Sequence, residues 1–177
     1  MTPVYKIGGE TDPATWSGIV GDSVNGYCGP SSSNSTWDAL TYDKEANGYR
    51  LPTEAEREYI AREAGTSTTT YSGSDTVDEL AWYYSNSGNK THEVKGKKAN
   101  SLGIYDMSGN VWEWCYDWYD SILSSSTADT GPSSGSERVQ RGGSWFGTDQ
   151  GCRVSYRYHS YSYDRDNKYG FRVVRSS

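Results

Sequence analysis

The residue types that most often perform chemistry are scarce in this chain, and their spacing does not suggest a zinc site. Cysteine occurs only at Cys28, Cys115 and Cys152, and histidine only at His92 and His159. Three cysteines leave at least one thiol unpaired and allow at most one disulfide bond. No two cysteines have the Cys-x-x-Cys spacing of a zinc ligand pair, and two isolated histidines cannot supply a metal cluster. The sequence therefore gives little support to thiol or metal catalysis.

Oxygen-bearing side chains frame a tight turn in the segment DMSGNVWE. Asp106 and Glu113 lie on either side of a glycine-containing turn. Hard oxygen ligands on such a turn are what calcium prefers. The alternative is that both carboxylates only fix the turn, by accepting hydrogen bonds from backbone N–H groups. Both interpretations stay open at this point.

A tyrosine-rich segment near the C-terminus is the main candidate for a binding surface. Its residue types are those of antibody combining loops, because tyrosine offers a large amphipathic contact area at low entropy cost. The members are Tyr156, Tyr158, Tyr161, Tyr163 and Tyr169, together with His159, Ser160, Ser162, Asp164 and Asp166. The alternative is a tyrosine-rich core strand, since alternating Tyr and Ser also fits a half-buried edge, and Tyr156 best fits that structural role.

Composition narrows the classes of function. The chain of 177 residues has a formal net charge of −6 and no basic patch, which argues against a nucleic-acid partner. No apolar run is long enough to span a membrane, so we expect no membrane insertion by this chain. The N-terminal segment MTPVYKIGGETD has neither the basic nor the apolar part of a signal peptide. The compartment is therefore undetermined by these features.

The elements that must position these residues are predicted to be loops and short strands. The length fits one domain over residues 1–177. Gly, Ser, Thr and Tyr are abundant and Leu and Ile are few, so Trp and Tyr rings must supply much of the core. Trp16, Tyr27 and Trp37 are spaced like anchors that hold the N-terminal loops to that core.

Strands are predicted from alternating or β-branched and aromatic runs. These runs are TPVYKIGG, WEWCYDWY, RVQRGGS, CRVSYR and FRVVR. The segment SILSSSTADTGPSSGSE is a surface loop by composition.

One helix is clearly marked and begins after Pro52. Thr53 and Glu56 form a capping box, and Gly65 stands where a helix would end. Helical periodicity predicts one buried side and one solvent side. The predicted buried residues are Ala55, Tyr59 and Ile60, and the predicted outward residues are Glu58, Arg62 and Glu63.

Four segments, in this order and spacing, resemble the formylglycine-generating enzyme (sulfatase-modifying factor) family: GYRLPTEAEREYIAREAG, NSLGIYDMSGNVWEW, RGGSW and GFRVV. The resemblance runs from about Gly48 to Val174. It implies an α+β, C-type-lectin-like fold of the formylglycine-generating-enzyme subtype, loop-rich with short strands and one clear helix. The chain departs from the family at Arg57, where the family usually has Trp, and at its start, where members carry an opening strand and helix before TPVY.

The resemblance also implies where oxidase chemistry would lie. Oxidising members use one cysteine just after GGSW and a second five residues later, and the matching positions here are Gly147 and Cys152. A lone thiol cannot form a two-thiolate copper site, so we expect no enzyme activity and no catalytic cofactor. Cys152 precedes Val154 in a predicted strand, which favours a buried structural thiol. The rival hypothesis, an oxidase of this class, requires bound copper or iron.

In the same family the turn DMSGNVWE holds calcium through two side-chain oxygens and two backbone carbonyls. The resemblance therefore implies a structural calcium here, with Asp106 and Glu113 as side-chain ligands and Gly109 and Val111 as carbonyl ligands. A third hypothesis is a fixed lectin-like binding domain. The paired Glu-Pro-Asn signature of calcium-dependent sugar sites is absent from the sequence, which disfavours calcium-dependent sugar binding.

The segment from Phe146 to Tyr169 further resembles the variable proteins of diversity-generating retroelements. Several of these place a variable segment at the C-terminus of this fold, before a GFRVV-like end. Nearly all unfixed residues of the segment can be reached from an AAY asparagine codon by changing only its adenines, the bases at which the template RNA is miscopied. Gln150 and Lys168 do not follow this rule. The residues that look fixed for folding are RGGSW, CRV, Arg157, Arg165 and GFRVV.

This resemblance implies a non-catalytic binding protein whose diversified segment, about 146–169, recognises an unknown protein or cell-surface ligand at the cell surface or outside the cell. The predicted ligand-binding residues are Phe146, Gly147, Thr148, Asp149, Tyr156, Tyr158, His159, Tyr161, Ser162, Tyr163, Asp164, Asp166, Asn167 and Tyr169. Arg153, Arg157 and Arg172 are predicted to support this surface from below, through hydrogen bonds to carbonyls and carboxylates.

Overall fold

The computed structural model describes residues 2–12, 30–43, 45–121 and 131–175. The predicted anchors Trp16 and Tyr27, the cysteine Cys28 and most of the predicted loop SILSSSTADTGPSSGSE lie outside the described residues. Within the described residues, short strands and helices alternate with turns and loops, which confirms the α+β prediction.

The regular elements are short, as the glycine- and serine-rich composition predicts. The helices are α1 (Ser35–Asp38), α2 (Glu54–Ala61), α3 (Val77–Leu80) and a 3-10 helix at Asp149–Cys152. The strands are β1 (Tyr5–Lys6), β2 (Thr41–Tyr42), β3 (Tyr49–Arg50), β4 (Trp112–Trp118), β5 (Glu137–Arg141), β6 (Arg157–Tyr161), β7 (Tyr169–Gly170) and β8 (Val174–Arg175). Among these helices none combines the length and the apolar character that a bilayer crossing needs.

A four-stranded sheet with the order β6-β5-β4-β7 is the centre of the fold. β5 runs antiparallel to both β4 and β6, whereas β7 runs parallel to β4. β1 pairs with β2, and β3 pairs with β8, so residues near the start of the family resemblance meet the C-terminal end. Helix α2 packs against β4. This arrangement leaves β6, in the tyrosine-rich segment, at one edge of the sheet.

Alternation of aromatic and polar residues predicted β4 well, but two other strand predictions were wrong. CRVSYR does not form one strand, because a 3-10 helix occupies Asp149–Cys152 and the Tyr156 N–H then closes a turn by donating to the Arg153 carbonyl at 3.0 Å. FRVVR contributes only Val174–Arg175 to a strand. Strand β6, Arg157–Tyr161, formed instead in a segment expected to be a connection.

The capping box that opens α2 is present. The Thr53 hydroxyl accepts from the Glu56 N–H at 3.2 Å, and the Glu56 carboxylate accepts from the Thr53 N–H at 2.8 Å. These two bonds satisfy backbone donors that a helix start otherwise leaves unpaired. The helix ends at Ala61, before Gly65, and Gly65 has a φ of 79°, which a glycine adopts without strain.

The prediction of the buried side of α2 was wrong for Ala55 and Tyr59, whereas Ile60 packs against the buried residues Ala61, Met107 and Val154. Glu54, Arg57 and Ala61 are its buried residues, while Ala55 and Tyr59 are exposed and Ile60 is only partly buried. The outward set Glu58, Arg62 and Glu63 is half-buried rather than fully exposed. Hydrophobic periodicity assumes an apolar core beneath a helix. Here only the C-terminal end of the helix packs on an apolar cluster, and Glu54 and Arg57 face a network of ion pairs, so charged side chains point inward.

Both described cysteines are buried and unpaired. Cys152 packs with Tyr71, Leu80 and Ala81 in an apolar cluster, which confirms the prediction of a buried thiol. Burial raises the pKa of the Cys152 thiol to about 12 and also raises the pKa of Cys115. Both thiols are therefore protonated and unreactive at neutral pH.

Replacing Asp117 with asparagine is expected to change how stability depends on pH. The Asp117 carboxylate accepts the Glu54 N–H at 2.7 Å, and burial raises its pKa to about 6. The folded protein therefore binds this proton more tightly than the unfolded chain does. As pH rises from about 4 to 6, the free energy of unfolding of the wild type falls relative to that of Asp117→Asn, by up to roughly 3 kcal/mol. Chemical denaturation measures the free energy of unfolding of both proteins across pH 3.5–7.5, a range set around that pKa. If the difference between the two proteins does not change with pH, burial does not raise the pKa of Asp117.

Asp75→Asn is the matched control, because the Asp75 carboxylate is expected to change stability with pH in the opposite direction. The Thr70 N–H donates to Asp75 and lowers its pKa. The stability that the Asp75 carboxylate contributes is present at neutral pH and is lost as pH falls through its folded-state pKa.

Candidate binding face

The register of the central sheet separates two sets of side chains. Trp114, Gln140 and Tyr158 stand opposite one another across β4, β5 and β6, and the neighbouring row consists of Glu113, Arg141 and Arg157. Successive residues of a strand point to opposite faces. One face is therefore aromatic and the other is charged, and the charged face lies against α2. His159 and Tyr161 alternate with Tyr158 along β6 and so fall on the side of Arg157.

The charged face is held by buried ion pairs. Arg157 donates to both oxygens of Glu54, at 2.7 and 2.8 Å, and to the Asp120 carbonyl at 2.6 Å. Arg141 lies 3.2 Å from Glu54 and donates to Glu58 and to the Tyr156 carbonyl. These bonds tie β5 and β6 to α2 from below. The predicted supporting role of Arg157 matches this geometry.

The other two predicted supporting arginines differ from each other. Arg172 donates to the Glu113 carboxylate and to the carbonyls of Tyr105 and Asp106, as predicted. Arg153 is exposed, and its guanidinium interacts with the Tyr71 hydroxyl instead of a carbonyl or carboxylate below the surface. The prediction was wrong for Arg153, because the chain turns there and carries the side chain outward.

The aromatic face begins with tyrosines that cover Trp112. The Tyr158 ring stacks on Trp112 with ring centroids 5.0 Å apart, and the Tyr156 ring lies 6.0 Å away. Trp112 is only 8% exposed beneath them. The Tyr169 hydroxyl lies 2.9 Å from the Ser160 hydroxyl and its ring contacts Trp114 edge-on. Trp112 and Trp114 of β4 thus lie beneath the tyrosine-rich segment.

Phe146 extends this surface away from the sheet. It is 55% exposed, and its ring contacts Trp145 and Tyr84 edge-on at centroid distances of 5.4 and 6.2 Å. The Lys168 ammonium lies 5.6 Å from the Phe146 ring and 3.0 Å from Asp166. Sequence reasoning missed Tyr84, because its distance from Phe146 along the chain gives no signal of contact.

A concave region lies beside the end of β6, where the chain continues through residues 162–165. Tyr161 and Tyr163 stack with their planes 6° apart, and Ser162 donates to Asp38 at 3.2 Å. A cavity of about 360 Å³ opens beside Tyr163. Its wall includes Trp37, Leu40, Trp114, Arg138, Arg165 and Phe171. Ser162 and Tyr163 of the predicted ligand-binding set also line it, but these six wall residues were not in that set. Most of them come from distant segments of the chain.

None of the predicted ligand-binding residues is buried. The exposed ones are Phe146, Thr148, Tyr156, Tyr158, Tyr161, Ser162, Asp166 and Asn167. The half-buried ones are Gly147, Asp149, His159, Tyr163, Asp164 and Tyr169. His159 lies apart from the Trp112 cluster, since it stacks on Tyr119 at 3.9 Å and approaches Glu137 at 3.1 Å. The set is accessible, and its contact with a ligand stays a prediction.

The four predicted calcium ligands line one cavity, but their oxygens are differently engaged. Asp106, Gly109, Val111 and Glu113 border this cavity of about 430 Å³. Asp106 accepts the Lys95 N–H at 2.8 Å, in agreement with the alternative that it fixes the turn. Both Glu113 oxygens accept from guanidinium groups. Two arginines at one carboxylate leave positive charge where a divalent cation needs negative charge, so this donor set fits calcium poorly.

Oxidase chemistry has little support at the matching positions. Gly147 offers no side chain, and the Cys152 sulfur lies 3.7 Å from the Thr148 carbonyl inside the fold. The raised pKa of Cys152 opposes the thiolate that copper binding needs. Among the residues with described positions, no three His, Cys, Asp or Glu side chains form a group that could hold a metal ion.

Comparison with known proteins places this geometry in a family. Residues 24–177 match the family described as "Sulfatase-modifying factor enzyme 1-like domain". The structure is similar to Treponema denticola variable protein 1, with a TM-score of 0.83 and 42% identity, covering 97% of this chain and 61% of that one. This similarity confirms the C-type-lectin-like fold of the formylglycine-generating-enzyme subtype.

Two relatives add to the comparison. The Chaperone protein LppX of Paenibacillus barcinonensis is 37% identical over 99% of this chain and 62% of its own length. The Formylglycine-generating enzyme of Streptomyces coelicolor is 35% identical over 79% of this chain and 50% of its own length. The chain thus spans less than two thirds of the length of the relatives it matches. Because the family match covers most of its residues, the chain belongs to the sulfatase-modifying factor enzyme 1-like family.

Proposed function

We propose that this chain is a non-catalytic binding protein that recognises a macromolecular surface through its aromatic face. The observation that carries this proposal is the separation of the two faces of the sheet. Exposed tyrosines stand on fixed tryptophans on one side, while buried Arg–Glu pairs hold the same strands from the other side. Surface side chains can therefore change without disturbing the bonds that position their backbone.

The chemistry of the face suits recognition of proteins or other large ligands. Exposed Phe146, Tyr156 and Tyr158 offer broad apolar rings with few internal rotations, so little entropy is lost on binding. Such rings concentrate binding energy, and truncating one commonly costs about 2 kcal/mol or more. The cavity beside Tyr163 gives the face a concave part that an inserted side chain can fill.

Diversification by a retroelement is the finer part of the proposal. It is supported by the AAY-compatible residues of segment 146–169 and by the similarity to a variable protein of Treponema denticola. Sequencing the 3′ end of the gene across a population of the source organism tests it. We expect substitutions confined to codons of this segment, with RGGSW and GFRVV constant. A segment as uniform as the rest of the gene would contradict diversification.

Binding can be tested separately by display. A library randomised at Tyr158, Tyr161 and Tyr163, with Phe146 and Asn167, should yield binders to a probe protein such as lysozyme. A matched library randomised at exposed positions of α2, including Ala55 and Tyr59, should yield none. Equal enrichment of binders from both libraries would contradict the proposal that the aromatic face is the binding surface.

Truncating Tyr161 and Tyr163 to alanine is expected to leave the fold intact. Tyr161 is exposed, Tyr163 is half-buried, and they stack mainly on each other. We expect the melting temperature to fall by no more than about 2–4 °C, as for surface changes worth less than 1 kcal/mol. A selected binder that carries both tyrosines should lose at least roughly 30-fold in affinity on their truncation. A large thermal shift would instead assign the pair to the core.

The absence of catalysis is itself part of the proposal and has its own test. Metal analysis of the purified protein is expected to show no stoichiometric copper or iron. Stoichiometric copper with oxygen-dependent turnover of a cysteine-containing peptide would overturn the binding proposal in favour of the oxidase hypothesis. We do not expect bound copper, because Gly147 stands where a two-thiolate copper site needs its first cysteine.

A further inference from the structure

The turn over residues 105–113 is organised by two guanidinium groups. We propose that Arg57 and Arg172 replace a calcium ion in this turn, so that the chain holds it in place without metal. A calcium ion would gather carboxylate and carbonyl oxygens around one positive charge centre. The two arginines gather the same kinds of oxygen from the same turn.

Arg172 supplies the first set of contacts. Its Nη2 donates to Glu113 Oε1 at 2.7 Å and to the carbonyls of Tyr105 and Asp106 at 3.1 and 3.3 Å. Its Nε lies 2.9–3.0 Å from the two oxygens of Glu113. One guanidinium thus joins the carboxylate to the start of the turn.

Arg57 supplies the second set from helix α2. Its Nε donates to Glu113 Oε2 at 3.0 Å, its Nη2 lies 2.9 Å from the same oxygen, and Nη2 also donates to the Met107 carbonyl at 3.0 Å. The Arg57 side chain is 1% exposed and that of Glu113 is 7% exposed, so water does not screen this pair. Three successive carbonyls, of residues 105, 106 and 107, therefore face guanidinium donors.

Charge decides between the arginines and a calcium ion. Glu113 and Asp106 bring two negative charges to the turn, and Arg57 and Arg172 bring two positive charges, both bonded to Glu113. The Asp106 carboxylate accepts the Lys95 N–H. A divalent cation would lie beside two fixed positive charges and would compete for Glu113 oxygens that already accept N–H donors. The departure from the family pattern at Arg57 thus coincides with the loss of the negative charge that a calcium site requires.

The decisive experiment compares thermal unfolding of the wild-type chain in millimolar calcium and in excess EGTA. We expect melting temperatures within about 1 °C of each other, because a ligand that does not bind adds no stability. A site of micromolar affinity would instead raise the melting temperature by on the order of 10 °C at millimolar calcium. Such a rise, abolished by Glu113→Gln, would overturn the proposal.

Arg57→Met tests which residue excludes the metal. This variant keeps the apolar stem of the side chain and removes its charge, so we expect it to gain a stabilisation by calcium and a terbium luminescence signal that the wild type lacks. Arg57→Met/Glu113→Gln should lose both responses. Arg62→Met, on the same helix, is the matched control and should respond like the wild type. A folded Arg57→Met protein that binds neither calcium nor terbium would contradict the proposal that Arg57 excludes the metal.

Discussion

Replacing Arg141 with methionine is expected to destabilise the protein by about 3–5 kcal/mol, the usual cost of breaking a buried ion pair from one side. Arg141 is fully buried and donates to Glu58 and to the Tyr156 carbonyl, with Glu54 3.2 Å from its Nε. Methionine fills the space of the stem but removes the donor to the Tyr156 carbonyl and to one Glu58 oxygen, whereas Glu54 keeps its bonds to Arg157. Against a typical total of about 5–15 kcal/mol, this loss is large.

Loss of Arg141 also affects the strands beneath the candidate binding face. Glu54 would keep Arg157 as an ion-pair partner, but β5 would lose its ion pairs to α2, and the Tyr156 carbonyl beside β6 would lose its guanidinium donor. We expect a fall in melting temperature of roughly 10 °C, measured by calorimetry, with the midpoint of urea unfolding shifted in the same direction. Burial lowers the pKa of Arg141, so its charge already costs desolvation, and only the partners offset this cost.

Arg62→Met is the matched control for Arg141. Arg62 also donates to Glu58, at 2.7 Å, but its pair is partly exposed and lies one helical turn apart. Such pairs contribute about 0.3–0.5 kcal/mol. If Arg141→Met lowers the free energy of unfolding no more than Arg62→Met does, the buried ion pairs do not hold the sheet. The proposal that they support the aromatic face would then be wrong.

Gly109→Ala is expected to cost about 3 kcal/mol or more. Gly109 has a φ of 80°, and a Cβ there would lie 2.6 Å from both the backbone nitrogen and the backbone oxygen of Trp82. Backbone strain of this kind costs about 1–3 kcal/mol, and overpacking adds a similar amount. The surrounding backbone cannot move freely, because the Gly109 N–H donates to Gly142 at 2.7 Å and the Asn110 N–H donates to Trp82 at 2.7 Å.

Gly147→Ala provides the contrast within segment 146–169. Its Cβ would meet nothing closer than 3.5 Å, which is ordinary van der Waals contact, and its φ is not positive. We expect a change within about 0.5 kcal/mol by urea denaturation. This tolerance is what a diversified position requires. A cost at Gly147 comparable to that at Gly109 would remove Gly147 from the set of freely variable residues.

Local signals in the sequence predicted the parts of the fold that local physics controls. The capping box at Thr53 and Glu56 formed because the bonds it needs join residues three apart. WEWCYDWY became β4 because alternation of buried and less buried positions is a property of a strand itself. The inward side of α2 was mispredicted because its partners, Arg141 and Glu113, come from elsewhere in the chain.

The candidate face shows the same division. The composition of the segment from Phe146 to Tyr169 identified it as a surface, and all its predicted residues are at least partly exposed. No sequence pattern predicts that Tyr158 stacks on Trp112 or that Tyr84 contacts Phe146. Nor does any pattern predict that Arg138 and Tyr163 line one cavity. These contacts depend on sheet register and on loops whose ends are far apart in sequence.

By itself, the sequence determined the family, the helix cap, the tyrosine-rich segment and the missing thiol at Gly147, because each of these depends on residue type at a fixed spacing. The tertiary structure alone decided which carboxylates would meet which arginines. Glu113 is predicted as a calcium ligand from its motif, yet its partners are Arg57, from α2, and Arg172, from the C-terminal end. A buried charge is satisfied by whatever opposite charge the fold brings within hydrogen-bond distance, and that distance is set by packing rather than by position in the chain.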